Sequence, residues 1–287
     1  MEILKRKIEK KTKFVNGKRI AYKLITTVFR KRDNIFYKFG FPTKDLDSIN
    51  EFGTRSQIPD KNAKKIVCLG CSHTYGKGLE QEDTWPYKLG ENIQMNKKEH
   101  YQVLNMGRRS YGSKILIDWY DFFVDKNYKP HMCIFQLPNY FRQPHPTMQP
   151  NKMKFYTSSM GITDLYKKGI IGNIKFESQF NIIMNKELQR LKCFFAKIQK
   201  KDIKLVVVFY LAIAKFIEES DARKSQIQYF DLIEEFCDNN NIDVVRSHKL
   251  DYRYFRDNDM TVDYTHPNEK GTEFFSNEVY KTIERYL

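Results

Sequence analysis

The sequence predicts an α/β fold in which helices cover both faces of a five-stranded parallel sheet, a three-layer αβα domain. Three observations carry that expectation. Five short apolar runs recur along residues 61–287. The stretches between them have helical rather than strand periodicity. A chain of 287 residues rich in aromatics, with 22 Phe and 18 Tyr, can bury a sizeable core.

Taken in order, Ile66-Val67-Cys68-Leu69 is a buried strand ended by Gly70, and Tyr101 to Asn105 is a second, closed by Gly107. Met132 to Phe135, Leu205 to Phe209 and Ile242 to Val245 supply the other three. Trp85-Pro86 fits a helix start with Asp83 or Thr84 as cap. Phe180, Met184, Leu188, Leu191, Phe195 and Ile198 fall on one helix face, and Ile227, Phe230, Ile233 and Cys237 repeat the pattern. Asn268 to Leu287 reads as a closing helix. Residues 140–180 are a long insertion without clear period, of the kind that serves as a lid or faces a substrate.

Residues 1–60 form a basic extension outside this alternation. Residues 1–38 hold 13 Lys/Arg against 3 Asp/Glu, so most of the net charge of +15 sits there. A near-neutral body with a basic arm suits an anionic membrane surface better than it suits a nucleic acid, which favours a more uniformly basic chain. Within the arm, Ile20, Leu24, Ile25, Val28 and Phe29 could share one face of a short amphipathic helix. The start MEILKRKIEKKTKF lacks the apolar core of a secretory signal, and no window approaches ~18 consecutive apolar residues. Five cysteines, an odd number spread through apolar runs, read as reduced buried thiols. A cytoplasmic location is therefore expected.

Three constellations carry chemistry. Ser72 follows the first strand in Gly70-Cys71-Ser72-His73-Thr74-Tyr75-Gly76, at the carboxyl edge where open α/β sheets bind ligands. A serine there can also merely cap a turn. Asp263 and His266, just before the last helix, have the spacing for a carboxylate that orients an imidazole base; a serine hydroxyl needs such a base. Backbone N–H groups of Ser72 and Gly107, with a side-chain amide from Asn139 or Gln136, could hold an oxyanion. His73 and Arg142 are candidate substrate contacts, though an exposed Arg after a strand is commonplace. Cys68 and Cys71 have C-x-x-C spacing, but Cys68 lies inside the strand, which favours a buried thiol over redox or zinc chemistry.

The order Ser, Gly, Asn, His resembles the four blocks of the SGNH/GDSL hydrolases. GCSHTYG is similar to the first block, with Cys71 where the family usually has Asp. Leu104-Asn105-Met106-Gly107 with Tyr111-Gly112 resembles the second, and Asp263 to His266 with Pro267 and Gly271 the last. Gln136-Leu137-Pro138-Asn139 is a looser match to the third, and Asn50 to Arg55 looks like a lead-in seen in some members. The resemblance implies a flavodoxin-like sheet, a Ser72-Asp263-His266 triad, no metal or organic cofactor, and hydrolysis of carboxylic esters on lipids, carbohydrates or small acyl compounds. Two alternatives stay open: acyl transfer by the same triad, and a degenerate fold that binds anionic surfaces through its basic arm.

Overall fold

The computed structural model describes residues 6–15, 18–27, 37–42, 54–55, 58–109, 111–138, 143–144, 159–160, 176–209, 221–246, 254, 258–261 and 266–287. A five-stranded parallel sheet forms the centre. Its strands are β4 (Lys64–Leu69), β5 (Tyr101–Asn105), β6 (Met132–Gln136), β9 (Lys204–Phe209) and β10 (Asp243–Arg246). They lie in the order β10-β9-β6-β4-β5. This is the flavodoxin-like arrangement, and the strand order reverses beside β4. Each strand lies within about two residues of the apolar run that predicts it. The runs are legible because strands buried on both faces are continuously apolar rather than alternating.

Side chains of alternate strand residues enter two separate cores. Val67, Leu69, Cys133, Phe135, Leu205, Val207 and Phe209 face one way, against α3 (Ser113–Trp119), α5 (Phe176–Gln199) and α6 (Asp221–Asn239). Ile66, Cys68, Met132, Ile134, Val206 and Val208 face the other way, against α2 (Trp85–Asn96) and α7 (Glu269–Ile283). The α3 helix runs through a π-helical turn, Tyr120–Val124, into the short α4 (Asp125–Tyr128). The α5 and α6 helices carry the apolar faces read from the sequence. Helix α5 begins at Phe176, inside the stretch expected to be irregular. Of the rest of that stretch, β7 (Gln143–Pro144) and β8 (Ser159–Met160) are described as a short antiparallel pair.

The basic arm departs from expectation. Residues 18–27 form a strand, not a helix. The strands β1 (Arg6–Val15), β2 (Lys18–Thr27) and β3 (Tyr37–Pro42) make an antiparallel sheet of order β1-β2-β3. The register pairs Val15 with Lys18, which leaves two residues, Asn16-Gly17, between β1 and β2. Asn-Gly between strands is the strongest short-range hairpin signal, and it competes successfully with the weak helical spacing of Ile20, Leu24 and Ile25. A second difference concerns Cys193, which is exposed, whereas Cys68, Cys71, Cys133 and Cys237 are buried free thiols as expected. No described helix is long and apolar enough to cross a membrane.

Phe195 shows how the larger core is held. It is fully buried and meets the rings of Phe135, Phe194 and Phe236 at 5.9, 6.0 and 6.5 Å between centroids. Phe195→Ala should therefore lower the unfolding free energy by about 3–5 kcal/mol, the usual cost of removing a buried aromatic ring. Urea unfolding followed by circular dichroism measures it; a loss well under that range would mean the site collapses onto the cavity.

Candidate active site

Strand β4 ends at Leu69, and the chain turns at Gly70 into a single helical turn, α1 (Ser72–Tyr75). Gly76 closes that turn in the left-handed region, φ 77° and ψ 58°, which only glycine adopts at no steric cost. The N–H groups of Gly76 and Lys77 both donate to the Ser72 carbonyl, at 3.0 Å each. The turn thus fixes the backbone of Ser72 twice over, and the Ser72 side chain is buried at 5% exposure.

Two glycines let neighbouring chain approach this turn. A Cβ on Gly70 would overlap the Thr74 side chain and the Gln136 carboxamide oxygen. A Cβ on Gly107 would overlap the Thr74–Tyr75 peptide. Beyond the ends of β4 and β5, Met106 N–H donates to Cys68 O and Arg108 N–H to Gly70 O, both at 2.9 Å, so the ladder continues up to the turn. From β6, the Gln136 Oε1 accepts the Cys71 N–H at 3.2 Å and the Thr74 hydroxyl at 3.0 Å, while its Nε2 donates to Leu137 O.

His266 reaches the same place from 194 residues away, with Nε2 at 3.0 Å from Ser72 Oγ. Its segment is anchored by Asn268, the N-cap of α7, whose Oδ1 accepts the Gly271 N–H at 3.0 Å. Asn268 also donates through Nδ2 to Asp259 O and through its backbone to Met260 O. A Cβ on Gly271 would overlap the Met260 carbonyl, so that glycine is required for the helix to start so close to the preceding loop. Thr261 and Pro267 form a β-bridge across the segment holding Asp263.

The expected site residues fare differently. Ser72 and His266 come together. Asp263, Asn139 and Arg142 lie outside the described residues. The Ser72 N–H is claimed by no other group among the described residues, as befits the first N–H of a helical turn. Two of the expected oxyanion donors need correcting. The Gly107 N–H already donates to Asn105 Oδ1 at 3.0 Å, and the backbone there packs on the turn. The Gln136 amide is committed to Cys71, Thr74 and Leu137, so it braces the turn.

His73 lies beside the pair. Its ring centroid is 5.0 Å from that of His266, and its Nδ1 is 3.2 Å from Cys71 Sγ. Burial pushes the Cys68 thiol well up, with Cys133 adding to the effect, which disfavours a thiolate at Cys68. Among the described residues no group of three or more His, Cys, Asp or Glu could hold a metal ion.

No protein-family model matches the chain, and no curated protein matches it. Solved structures do. A GDSL-like lipase from Bacteroides thetaiotaomicron superposes with a TM-score of 0.50 at 15% identity, over 85% of this chain and 96% of that one. The psychrotrophic esterase EstA from Pseudoalteromonas sp., inhibited by monoethylphosphonate, gives 0.52 at 16% identity over 78% and 98%. The chain shares its fold with these solved hydrolases. A mutant of an acetyl-xylooligosaccharide esterase from Geobacillus has the same fold, with a TM-score of 0.53 at 12% identity over 79% and 96%. In this chain, Ser72 occupies the carboxyl end of β4, where the strand order reverses and such sheets place their ligands.

The bracing by Gln136 has a measurable consequence. Gln136→Leu leaves the Cys71 N–H and the Thr74 hydroxyl buried without their acceptor, and should cost about 1–3 kcal/mol of stability. Chemical denaturation of the variant checks this. An unchanged midpoint would show that the turn is held without Gln136.

Proposed function

We propose that this chain is a serine esterase that hydrolyses carboxylic esters through an acyl-serine intermediate. The observation that carries the reading is the 3.0 Å contact between His266 Nε2 and Ser72 Oγ at the carboxyl end of the sheet. That distance is within hydrogen-bond reach of the proton a general base must remove. We assign Asp263, three residues earlier, to the other imidazole nitrogen, Nδ1, where it holds the tautomer and stabilises the imidazolium. The fold's solved relatives include esterases and lipases, which supports an ester substrate.

The steps follow from these roles. Ser72 Oγ attacks the ester carbonyl as its proton passes to His266 Nε2, and a tetrahedral oxyanion forms. The free Ser72 N–H is the donor best placed for that charge. A second donor comes from Asn139. Collapse breaks the ester C–O bond, and the alcohol leaves with the proton from His266. Water then repeats the sequence, giving up its proton to His266, and the acid departs as Ser72 is reprotonated. A sugar hydroxyl in place of that water would give acyl transfer. His73, beside His266, and Arg142 are assigned to contact the substrate.

We assign the sheet β1–β3 a role apart from catalysis. Its strands hold five, three and one Lys/Arg, against a single acid, Glu9. We assign it to an anionic membrane surface, where each basic residue adds roughly 1 kcal/mol of attraction within a Debye length. Cosedimentation with anionic vesicles at low and high salt should show binding by the full chain and loss of it in a chain starting near Asn50. Equal binding by both would remove the arm from this role.

For the chemistry, a panel of nitrophenyl esters from acetyl upward, with acetylated sugars, should be turned over by the native protein. Ser72→Ala should lower kcat by about 10⁵–10⁶-fold and Asp263→Asn by about 10⁴-fold, as in other serine hydrolases. Cys71→Ser should leave turnover within a few-fold. Activity surviving in Ser72→Ala but lost in Cys71→Ser would transfer the nucleophile to the thiol.

A further inference from the structure

We propose that Arg55 is a positioning residue for the nucleophile, acting through the carboxyl-terminal end of the α1 turn. This assignment rests on the esterase reading and adds a residue to it. Arg55 is buried at 5% exposure, with its backbone N–H donating to Asn105 O at 2.9 Å, at the end of β5. From that fixed root its Nη1 donates to Tyr75 O at 2.5 Å and to Gly76 O at 2.6 Å, and Nη2 donates to Leu79 O. The guanidinium also lies 4.5 Å above the centre of the Tyr75 ring.

The Tyr75 and Gly76 carbonyls, at the end of the α1 turn, draw a donor for a specific reason, although Gly76 O also accepts the Leu79 N–H at 3.2 Å. The last carbonyls of a helix have no partner within it, and α1 is too short to hide them. Tyr75 and Gly76 are buried, so water does not serve. A cation at a helix C-terminus also meets the negative end of the turn's dipole. The planar fork of arginine can satisfy several carbonyls while stacking on an aromatic ring, which an ammonium cannot.

The link to chemistry is one hydrogen bond long. The peptides whose carbonyls Arg55 grips are contiguous with the Gly76 and Lys77 N–H groups that hold the Ser72 carbonyl. Release of residues 75–79 therefore frees the Ser72 backbone. The Oγ drifts from His266, and the Ser72 N–H loses its aim at the oxyanion. Gly76 tightens the arrangement, because a Cβ there would overlap Thr84 and crowd Arg55 Nη1.

The experiment compares native protein, Arg55→Lys and Arg55→Ala by three readouts. These are the rate of Ser72 labelling by a fluorophosphonate, kcat and KM on nitrophenyl acetate, and the melting temperature. Arg55→Ala should lose about 10- to 100-fold in labelling rate and kcat, the scale of a misplaced nucleophile, with KM nearly unchanged. Added methylguanidinium should restore part of both, because it refills the site between the three carbonyls. Arg55→Lys, which keeps the charge and stem, should fold and yet remain slow. The assignment is overturned if Arg55→Lys labels and turns over at the native rate. It is also overturned if Arg55→Ala loses activity only in step with its unfolded fraction and does not respond to methylguanidinium. Native protein that takes no phosphonate at Ser72 would sink the esterase reading itself, and this assignment with it.

Discussion

The close approach of two strand ends to the 70–76 turn is the constraint on which the site depends. Gly70 and Gly107 have no Cβ because the spaces where one would sit are filled by Thr74, Gln136 and the Thr74–Tyr75 peptide. That contact brings the end of β5 and the side chain of β6 onto a turn too short to hold its own shape. Helices of one turn are unfavourable in isolation, since nucleation costs more than a single hydrogen bond returns. The α1 turn persists because Gln136 serves its amino-terminal half and Arg55 its carboxyl-terminal half. Ser72 is thus held in place by side chains that lie outside its contact with His266.

Topology explains why those groups converge. Parallel strands all end on one side of the sheet, and at the reversal beside β4 the flanking connections diverge to opposite faces. A serine just after β4 therefore sits where those connections part, bordered by β5 and β6 on either side. His266 arrives from the far end of the chain on the segment before α7, fixed by Asn268 at the helix cap. The cap holds the start of α7 to Asp259 and Met260, so the imidazole inherits the stiffness of a packed helix. A fixed imidazole set 3.0 Å from a fixed hydroxyl is an arrangement of the kind that the proposed chemistry requires.

The sequence makes some of this legible and leaves some hidden, for physical reasons that differ by residue. The five strands are readable because burial on both faces demands continuous apolar runs. Ser72 and His266 are readable because their chemistry restricts residue type, and the turn and the helix start restrict position. Gln136 is visible only as an amide near the right strand. Whether it faces an oxyanion or braces the turn depends on a rotamer, which no spacing encodes. Arg55 stands out in the sequence only as part of a lead-in, since its partners are main-chain carbonyls that any residue could supply. The helical reading of Ile20, Leu24 and Ile25 fails because a few apolar residues satisfy a helical period by chance, while Val28 and Phe29 lie outside the described residues. The Asn16-Gly17 pair, a local and more specific signal, pointed to a hairpin.

Cys71 illustrates how direction, more than identity, decides a residue's role at such a turn. It adjoins the nucleophile and is 1% exposed, so its thiol faces the sheet while the Ser72 hydroxyl faces His266. Its Sγ lies 3.5 Å from Gln136 Oε1 and 3.2 Å from His73 Nδ1, and its backbone N–H goes to the same Gln136 oxygen. The Cys71 thiol and the Ser72 hydroxyl thus meet different neighbours, Gln136 and His73 on one side and His266 on the other. A weakly polar side chain suffices at that position because Gln136 already supplies the acceptor for the backbone. The thiol's remaining influence runs through the His73 ring, which links the inner face of the turn to the His266 imidazole 5.0 Å away.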